Sequence, residues 1–189
     1  MFQELFSHIE EKVTLTEADR LLIAQYFVVK RLRRRQYALQ EGDVCNNLTF
    51  VARGLLKSFK VDEKGNERIS LLAWEGWWIS DFNSFIHQEA AVLNIDAVED
   101  SELLLISRDN YERLLQNVPV MERYFRILYQ NSLVTKDKRL ISSNGDSAEL
   151  RYMKLAESMP EILRRVPQHL IASYLGLAPE TISRIKKKQ

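Results

Sequence analysis

The spacing of apolar residues changes its period as the chain proceeds. Residues 2–29 carry the 3.6-residue rhythm of helices, and Thr16 followed by Glu17 and Asp19 reads as a helix start ahead of Leu21, Leu22, Ile23, Tyr26 and Phe27. From Tyr37 the rhythm shortens to that of strands. Tyr37 to Glu41, Leu48 to Val51, Leu55 to Val61 and Ile69 to Trp74 are short β-rich runs. Glu41-Gly42-Asp43, Arg53-Gly54 and a hairpin tip at Asp62-Glu63-Lys64-Gly65-Asn66 set them apart. After an aromatic stretch from Trp74 to Phe82 come two further strands, Val92 to Val98 and Leu103 to Ser107. Strands this short and this regularly punctuated predict an antiparallel β-roll or jelly roll.

Helical spacing then returns. Arg108 to Gln116 forms a brief helix, and Val118-Pro119 opens a long one running to about Ser142 with a broad apolar face. A lone surface helix showing Met121, Tyr124, Phe125, Leu128 and Tyr129 would leave a large apolar patch, so these five are expected to form the interface of a parallel homodimer. At Ser143-Asn144-Gly145-Asp146 the glycine can end that helix, while Asp146 with Glu149 reads as a capping box for a helix over 147–158 that stops at Met159-Pro160. The expected fold is α+β in three parts: a β-roll domain over 1–117, a long dimerisation helix over 118–143, and a helical domain over 144–189.

The last segment has its own geometry. Leu170, Ile171, Tyr174 and Leu175 form an apolar face on one helix, and Ala172 is small enough to let a second helix cross closely. Gly176 supplies a turn and Pro179 opens the next helix, where its missing N–H is no loss. In that helix Ile182 and Ile185 point inward, while Glu180, Ser183, Arg184 and Lys187 share the opposite face. This is a helix-turn-helix with a basic recognition helix. Arg184 can fork onto the O6 and N7 acceptors of guanine and Glu180 can accept from a cytosine amino group. Lys186, Lys187 and Lys188 suit phosphates, and Gln168, His169, Pro179 and Thr181 complete the candidate DNA-binding set.

Composition agrees with this division. Of 189 residues 46% are hydrophobic, enough for real cores, and the formal net charge is +1. From Ser147 onward eight Lys or Arg face four Asp or Glu, a balance of +4, so the C-terminal part is the candidate polyanion binder. Cys45 is the only cysteine, which excludes an intrachain disulfide and a thiolate metal site; in its polar loop a bystander role outweighs a redox one. His8, His87 and His169 are scattered singly. Arg31, Arg33, Arg34 and Arg35 read as a solvated basic face, and Trp74, Trp77 and Trp78 as packing residues. No catalytic or nucleotide-phosphate motif occurs, so neither an enzyme nor a cofactor is expected. Without a membrane-length apolar run or a secretory start at Met1-Phe2-Gln3-Glu4, the expected location is the cytoplasm, away from any membrane.

The succession of β-roll, long helix, hinge and terminal helix-turn-helix closely resembles the Crp/Fnr family of bacterial transcription regulators. The resemblance rests on Glu41-Gly42, the Arg53-Gly54 and Lys64-Gly65 turns, Glu99-Asp100-Ser101-Glu102, and above all Glu180-Thr181-Ile182-Ser183-Arg184. It implies a cyclic-nucleotide-binding-like sensor domain, and a homodimer on a pseudo-palindromic double-stranded operator. Glu180 and Arg184 would be its base readers, and RNA polymerase a further partner. It also sets Asp81 where cyclic-AMP-responsive members hold a ribose hydroxyl with glutamate, and Ala91-Val92 where an Arg-Ser pair holds the phosphate. Alanine and valine give a phosphate neither fixed donors nor charge. Trp78, Asp81, Ala91 and Val92 thus mark a candidate effector pocket without affinity for cyclic AMP, and Lys136 and Asp137 stand where that subgroup has small hydroxyls. The cysteine set of oxygen-sensing members is missing, as are strands that many winged relatives place after the recognition helix. The alternative is a ligand-sensing or protein-interaction module with a degenerate DNA-binding domain.

Overall fold

The computed structural model describes residues 1–188. Helices α1 (Phe2–Glu10) and α2 (Glu17–Gln25) precede strands β1 (Val28–Leu32), β2 (Tyr37–Leu39), β3 (Asn47–Arg53), β4 (Leu56–Val61), β5 (Glu67–Ala73) and β6 (Trp78–Ile79). Helix α3 (Phe82–His87) leads to β7 (Asn94–Ala97) and β8 (Ser101–Ser107). Helices α4 (Arg108–Asn117), α5 (Val120–Gly145), α6 (Ala148–Ser158), α7 (Pro160–Arg165), α8 (Gln168–Leu175) and α9 (Pro179–Lys188) follow. The α+β class is as expected. Residues 1–60 and 71–129 pack as one compact unit, and residues 61–70 with 130 onward as a second, so α5 contributes to both.

The strands form two four-stranded sheets, ordered β1-β8-β3-β6 and β2-β7-β4-β5, all within the first unit except the end of β4 and the first half of β5. The central pair β3 and β8 runs antiparallel, with Phe50 opposite Leu104 and Val51 opposite Leu103. Because successive side chains on a strand point to opposite faces, Val51 and Leu103 turn inward to meet Leu56, Ile95 and Ala97 of the other sheet. Leu48, Phe50, Ala52, Leu104 and Ile106 face outward against a helical layer that includes Leu5, Ile9, Leu114 and Met121. Covering both faces makes β3 apolar along most of its length, and the simple alternation of a half-buried strand is lost. β1 begins where the helical rhythm was expected to reach residue 29; Val28 and Val29 instead pair with Leu105 and Leu104.

The helical layer uses the face of α5 that was expected at a dimer interface. Met121, Tyr124 and Phe125 are 0%, 0% and 2% exposed, and Leu128 and Tyr129 pack half-buried against the same core. That expectation is corrected: an amphipathic face needs cover, and here the chain's own roll and N-terminal helices supply it. Polar atoms in this layer are satisfied in sequence. The ammonium of Lys12 donates to His8 O, to Glu11 Oε2 and to His8 Nε2, at 3.1, 3.1 and 3.2 Å. His8 therefore carries its hydrogen on Nδ1, which donates to Tyr124 Oη at 2.8 Å. The indole N–H of Trp78 donates to the same phenol oxygen at 2.8 Å. Burial first, and the Lys12 charge next, hold the His8 ring down at about 4, so it is neutral near pH 7.

In the second unit Ser147 caps α6, its hydroxyl accepting from Leu150 N at 3.2 Å. The expected capping box at Asp146 and Glu149 is thus corrected, because Asp146 bonds Ser142 and Lys154 instead. A small core of Tyr152, Ala172, Ile182 and Ile185 joins α6, α8 and α9. Two side chains then fix α8 from the other side. Ser173 Oγ donates to Glu67 O at 2.6 Å and accepts from Ile69 N at 3.0 Å. The Arg139 guanidinium donates to Ser70 O at 2.6 Å and stacks 4.2 Å from the Tyr174 ring centroid.

One glycine in the roll is fixed by a close approach. Gly54 has φ +102°, and a Cβ there would lie 2.7 Å from the Ser101 Cα while Leu55 N must still reach Ser101 Oγ at 3.2 Å. Gly54→Ala should cost on the order of 3 kcal/mol in backbone strain and overpacking, lowering the melting temperature by roughly 6 to 12 °C. Calorimetric melting of the variant checks this; an unchanged transition would show that the turn has room to give.

Candidate nucleic-acid interface and effector site

The turn between α8 and α9 is built by glycine and closed by backbone. Gly176 takes the left-handed conformation at φ 65°, and Leu177 N returns to Ala172 O at 2.8 Å, the pattern that ends a helix on glycine. Arg151 Nη1 donates to Leu175 O at 2.8 Å and satisfies another terminal carbonyl of α8. Pro179 starts α9 as expected. Ile182 and Ile185, 0% and 3% exposed, anchor its inner face.

Its outer face is open. Pro179, Glu180, Ser183, Arg184, Lys186 and Lys187 are exposed, and Thr181 is half-buried. The backbone of Lys188 closes α9, while its side chain lies outside the described residues. Glu180 and Arg184 stand one turn apart on one face, so an acceptor and a forked donor are presented side by side. Glu180 in the first turn and lysines at the end also match the helix dipole. On α8, His169 is exposed and Gln168 half-buried. Gln168 Nε2 reaches Ser183 Oγ at 2.6 Å, a link between the two helices that local sequence spacing did not reveal.

The residues expected around an effector are already engaged. Trp78 lies in the aromatic layer, 5.4 Å from the rings of both Phe50 and Phe125. Asp81 is 3% exposed and caps α3, its Oδ1 accepting from Ser84 N at 3.1 Å. Its Oδ2 accepts from Val92 N at 2.9 Å and Leu93 N at 3.2 Å. Ala91 is buried and Val92 is 52% exposed. The amides beside the phosphate-matching positions are therefore filled by an internal carboxylate. A cavity of about 190 Å³ does lie in this unit, lined by Lys30, Leu39, Cys45, Thr49, Ser80 and Ile95 among others, and by none of those four residues. Cys45 is buried, its thiol donates to Asn47 O at 3.3 Å, and burial pushes its pKa up, away from thiolate chemistry. Lys136 and Asp137 are exposed on α5. Among the described residues no group of three His, Cys, Asp or Glu is arranged to hold a metal ion, and no helix is long and apolar enough to cross a membrane.

A two-sheet roll, a long helix and a terminal helix-turn-helix define a regulator with a sensor-type domain. Residues 29–118 match the cyclic nucleotide-binding domain model. The chain is 26% identical over 168 residues to the cyclic AMP receptor protein of Thermus thermophilus, covering 87% of this chain and 77% of that protein. It is 24% identical over 182 residues to the regulatory protein HlyX of Actinobacillus pleuropneumoniae, covering 90% and 73%. The fold is similar to that of the c-di-GMP responsive global regulator CLP of Xanthomonas campestris, with a TM-score of 0.74 at 15% identity, covering 92% of this chain and 91% of that one. Along most of its length the chain is thus similar to transcriptional regulators of the Crp/Fnr family, which are not enzymes.

Cyclic AMP and cyclic GMP should give no heat of binding in titration calorimetry at micromolar to millimolar nucleotide. A phosphate would have to displace the Asp81 carboxylate from its amides, and Ala91 and Val92 supply no cation to hold it. Micromolar affinity would overturn the assignment of Asp81 as an internal plug.

Proposed function

We propose that the protein is a sequence-specific DNA-binding transcription regulator of the cytoplasm that acts as a homodimer and needs no cyclic nucleotide. The observation that carries this is α9: two buried isoleucines seat it on α6 and α8, while Glu180, Ser183, Arg184, Lys186 and Lys187 stand exposed together. Each subunit lays α9 in a major groove, and the dimer reads a pseudo-palindrome with half-sites about one helical turn apart. Arg184 reads guanine, Glu180 the cytosine amino group, and the lysines with His169 hold phosphates. RNA polymerase is the expected further partner.

Crp/Fnr regulators act as dimers. With Met121, Tyr124 and Phe125 buried in their own chain, the seam falls further along α5. Leu133, Val134, Leu140 and Ile141 are 61%, 52%, 62% and 72% exposed, and the two pairs recur seven residues apart, the repeat of a two-stranded coiled coil.

Base reading and phosphate holding separate by mutation. Arg184→Ala should cost about 1 to 3 kcal/mol on the preferred operator and relax the guanine preference at one symmetric position per half-site. Lys187→Ala should instead weaken all sequences alike and reduce the salt slope by roughly 1 for each phosphate no longer held. Selection of bound DNA from a random pool, with binding measured across salt concentrations, distinguishes the two; unchanged selectivity in Arg184→Ala would refute the base-reading role. For the seam, Leu133→Glu with Ile141→Glu should give monomers in sedimentation, and a double variant that stays dimeric would move the interface elsewhere.

A further inference from the structure

Ser183 is the one short hydroxyl on the exposed face of α9, three residues after Glu180 and directly before Arg184. An unconstrained serine reads either sign of hydrogen-bonding group on a base edge, because its hydroxyl has one donor and two acceptor lone pairs and rotates freely. Here the rotor is held. Gln168 Nε2 lies 2.6 Å from Ser183 Oγ and 3.4 Å from Pro179 O. A backbone carbonyl only accepts, so the end of the Gln168 amide that faces both oxygens is the nitrogen, and Ser183 Oγ accepts from it. Ser183 Oγ in turn lies 3.3 Å from Pro179 O, the carbonyl one turn earlier, which takes the hydroxyl hydrogen. The donor and one lone pair are used. One lone pair remains, on a side chain that is exposed on the outer face of α9.

We infer that Gln168 is a positioning residue that makes Ser183 an acceptor-only reader, so that α9 selects adenine or cytosine over guanine or thymine on the strand Ser183 faces. In the major groove the amino groups of adenine N6 and cytosine N4 are donors, whereas guanine O6 and thymine O4 are acceptors. A lone pair attracts the first two and repels the others. Every base pair offers one such amino group, so the device reads which strand carries it. Gln168 touches no base for this purpose. It acts across the turn, fifteen residues upstream of the serine it sets. The inference rests on the proposal that α9 reads bases.

The test uses the full-length chain and selection from a random DNA pool, comparing wild type, Gln168→Ala, Ser183→Ala, the double variant and Arg184→Ala. Wild type should show one position per half-site where adenine or cytosine is favoured about fivefold, the worth of one neutral hydrogen bond. Gln168→Ala and Ser183→Ala should each flatten that position. The double variant should flatten it no further, since the two act as one unit. Gln168→Ala should keep the Arg184-dependent guanine preference. A measurement on wild type alone supports the same point without relying on a folded variant: replacing the favoured base by its amino-less analogue, purine or 2-pyrimidinone, should cost about fivefold in affinity. Guanine or thymine favoured at that position, tolerance of the amino-less base, or a uniform loss across all sequences in Gln168→Ala would each overturn the inference. If Arg184→Ala loses guanine selection while Gln168→Ala leaves every preference intact, this inference alone fails. If Arg184→Ala selects as wild type does, base reading by α9 fails and takes this inference with it.

Discussion

The antiparallel pairing of β3 with β8 places apolar side chains on both faces of one sheet, and much of the first unit is arranged to cover them. Inward, Val51 and Leu103 close against the second sheet. Outward, Phe50 and Leu104 need a helical layer, and α1, α4 and the start of α5 provide it. That layer is dense in aromatic rings packed edge to face, such as Trp78 against Phe125 and Tyr111 against Phe125. Burial on this scale requires every polar tip to find a partner, and the chain from Lys12 through His8 to Tyr124 and Trp78 supplies one for each. Roles along α5 are divided as a result. Its first turns belong to the core of the roll, while its exposed apolar residues lie only beyond residue 130.

What was legible in the sequence was what a single residue or one helical turn decides. Thr16 with Asp19, Gly176, Pro179 and the inward pair Ile182 and Ile185 follow from local sterics and helical spacing, and the structure has them as read. The side-by-side placement of Glu180 and Arg184 belongs to the same kind, because their positions on α9 alone put them on one face. Features set by tertiary partners were hidden. An amphipathic face on α5 says that something must cover it, but not whether the cover is the same chain or a copy. Ser147 and Asp146 are adjacent capping residues, and the positions of Ser142 and Lys154 draw the aspartate away. The short strand β6 and helix α3 sit within an aromatic run whose periodicity is obscured by burial, although Asp81 before Phe82 was a capping signal in plain view. The Gln168 to Ser183 bond had no local signal at all.

On the proposed reading, Asp81 lets a sensor-type fold keep its architecture without the chemistry of a cyclic nucleotide. A buried carboxylate that accepts from three backbone amides is a satisfied anion site, and each of those bonds is charge-assisted. An incoming phosphate meets amides that are already bonded and a negative charge that repels it. Its binding free energy is the difference between two similar anion sites, less the cost of moving Asp81 from a buried position. A ligand can shift a conformational equilibrium only by its differential affinity for the two states. On the proposed reading that no cyclic nucleotide binds, control of the α8 and α9 reader falls to other variables: the operator sequence, the concentration that sets dimerisation along α5, and any chemistry suited to the separate cavity beside Cys45. On that same reading the roll is a scaffold whose anion site is filled from within by Asp81.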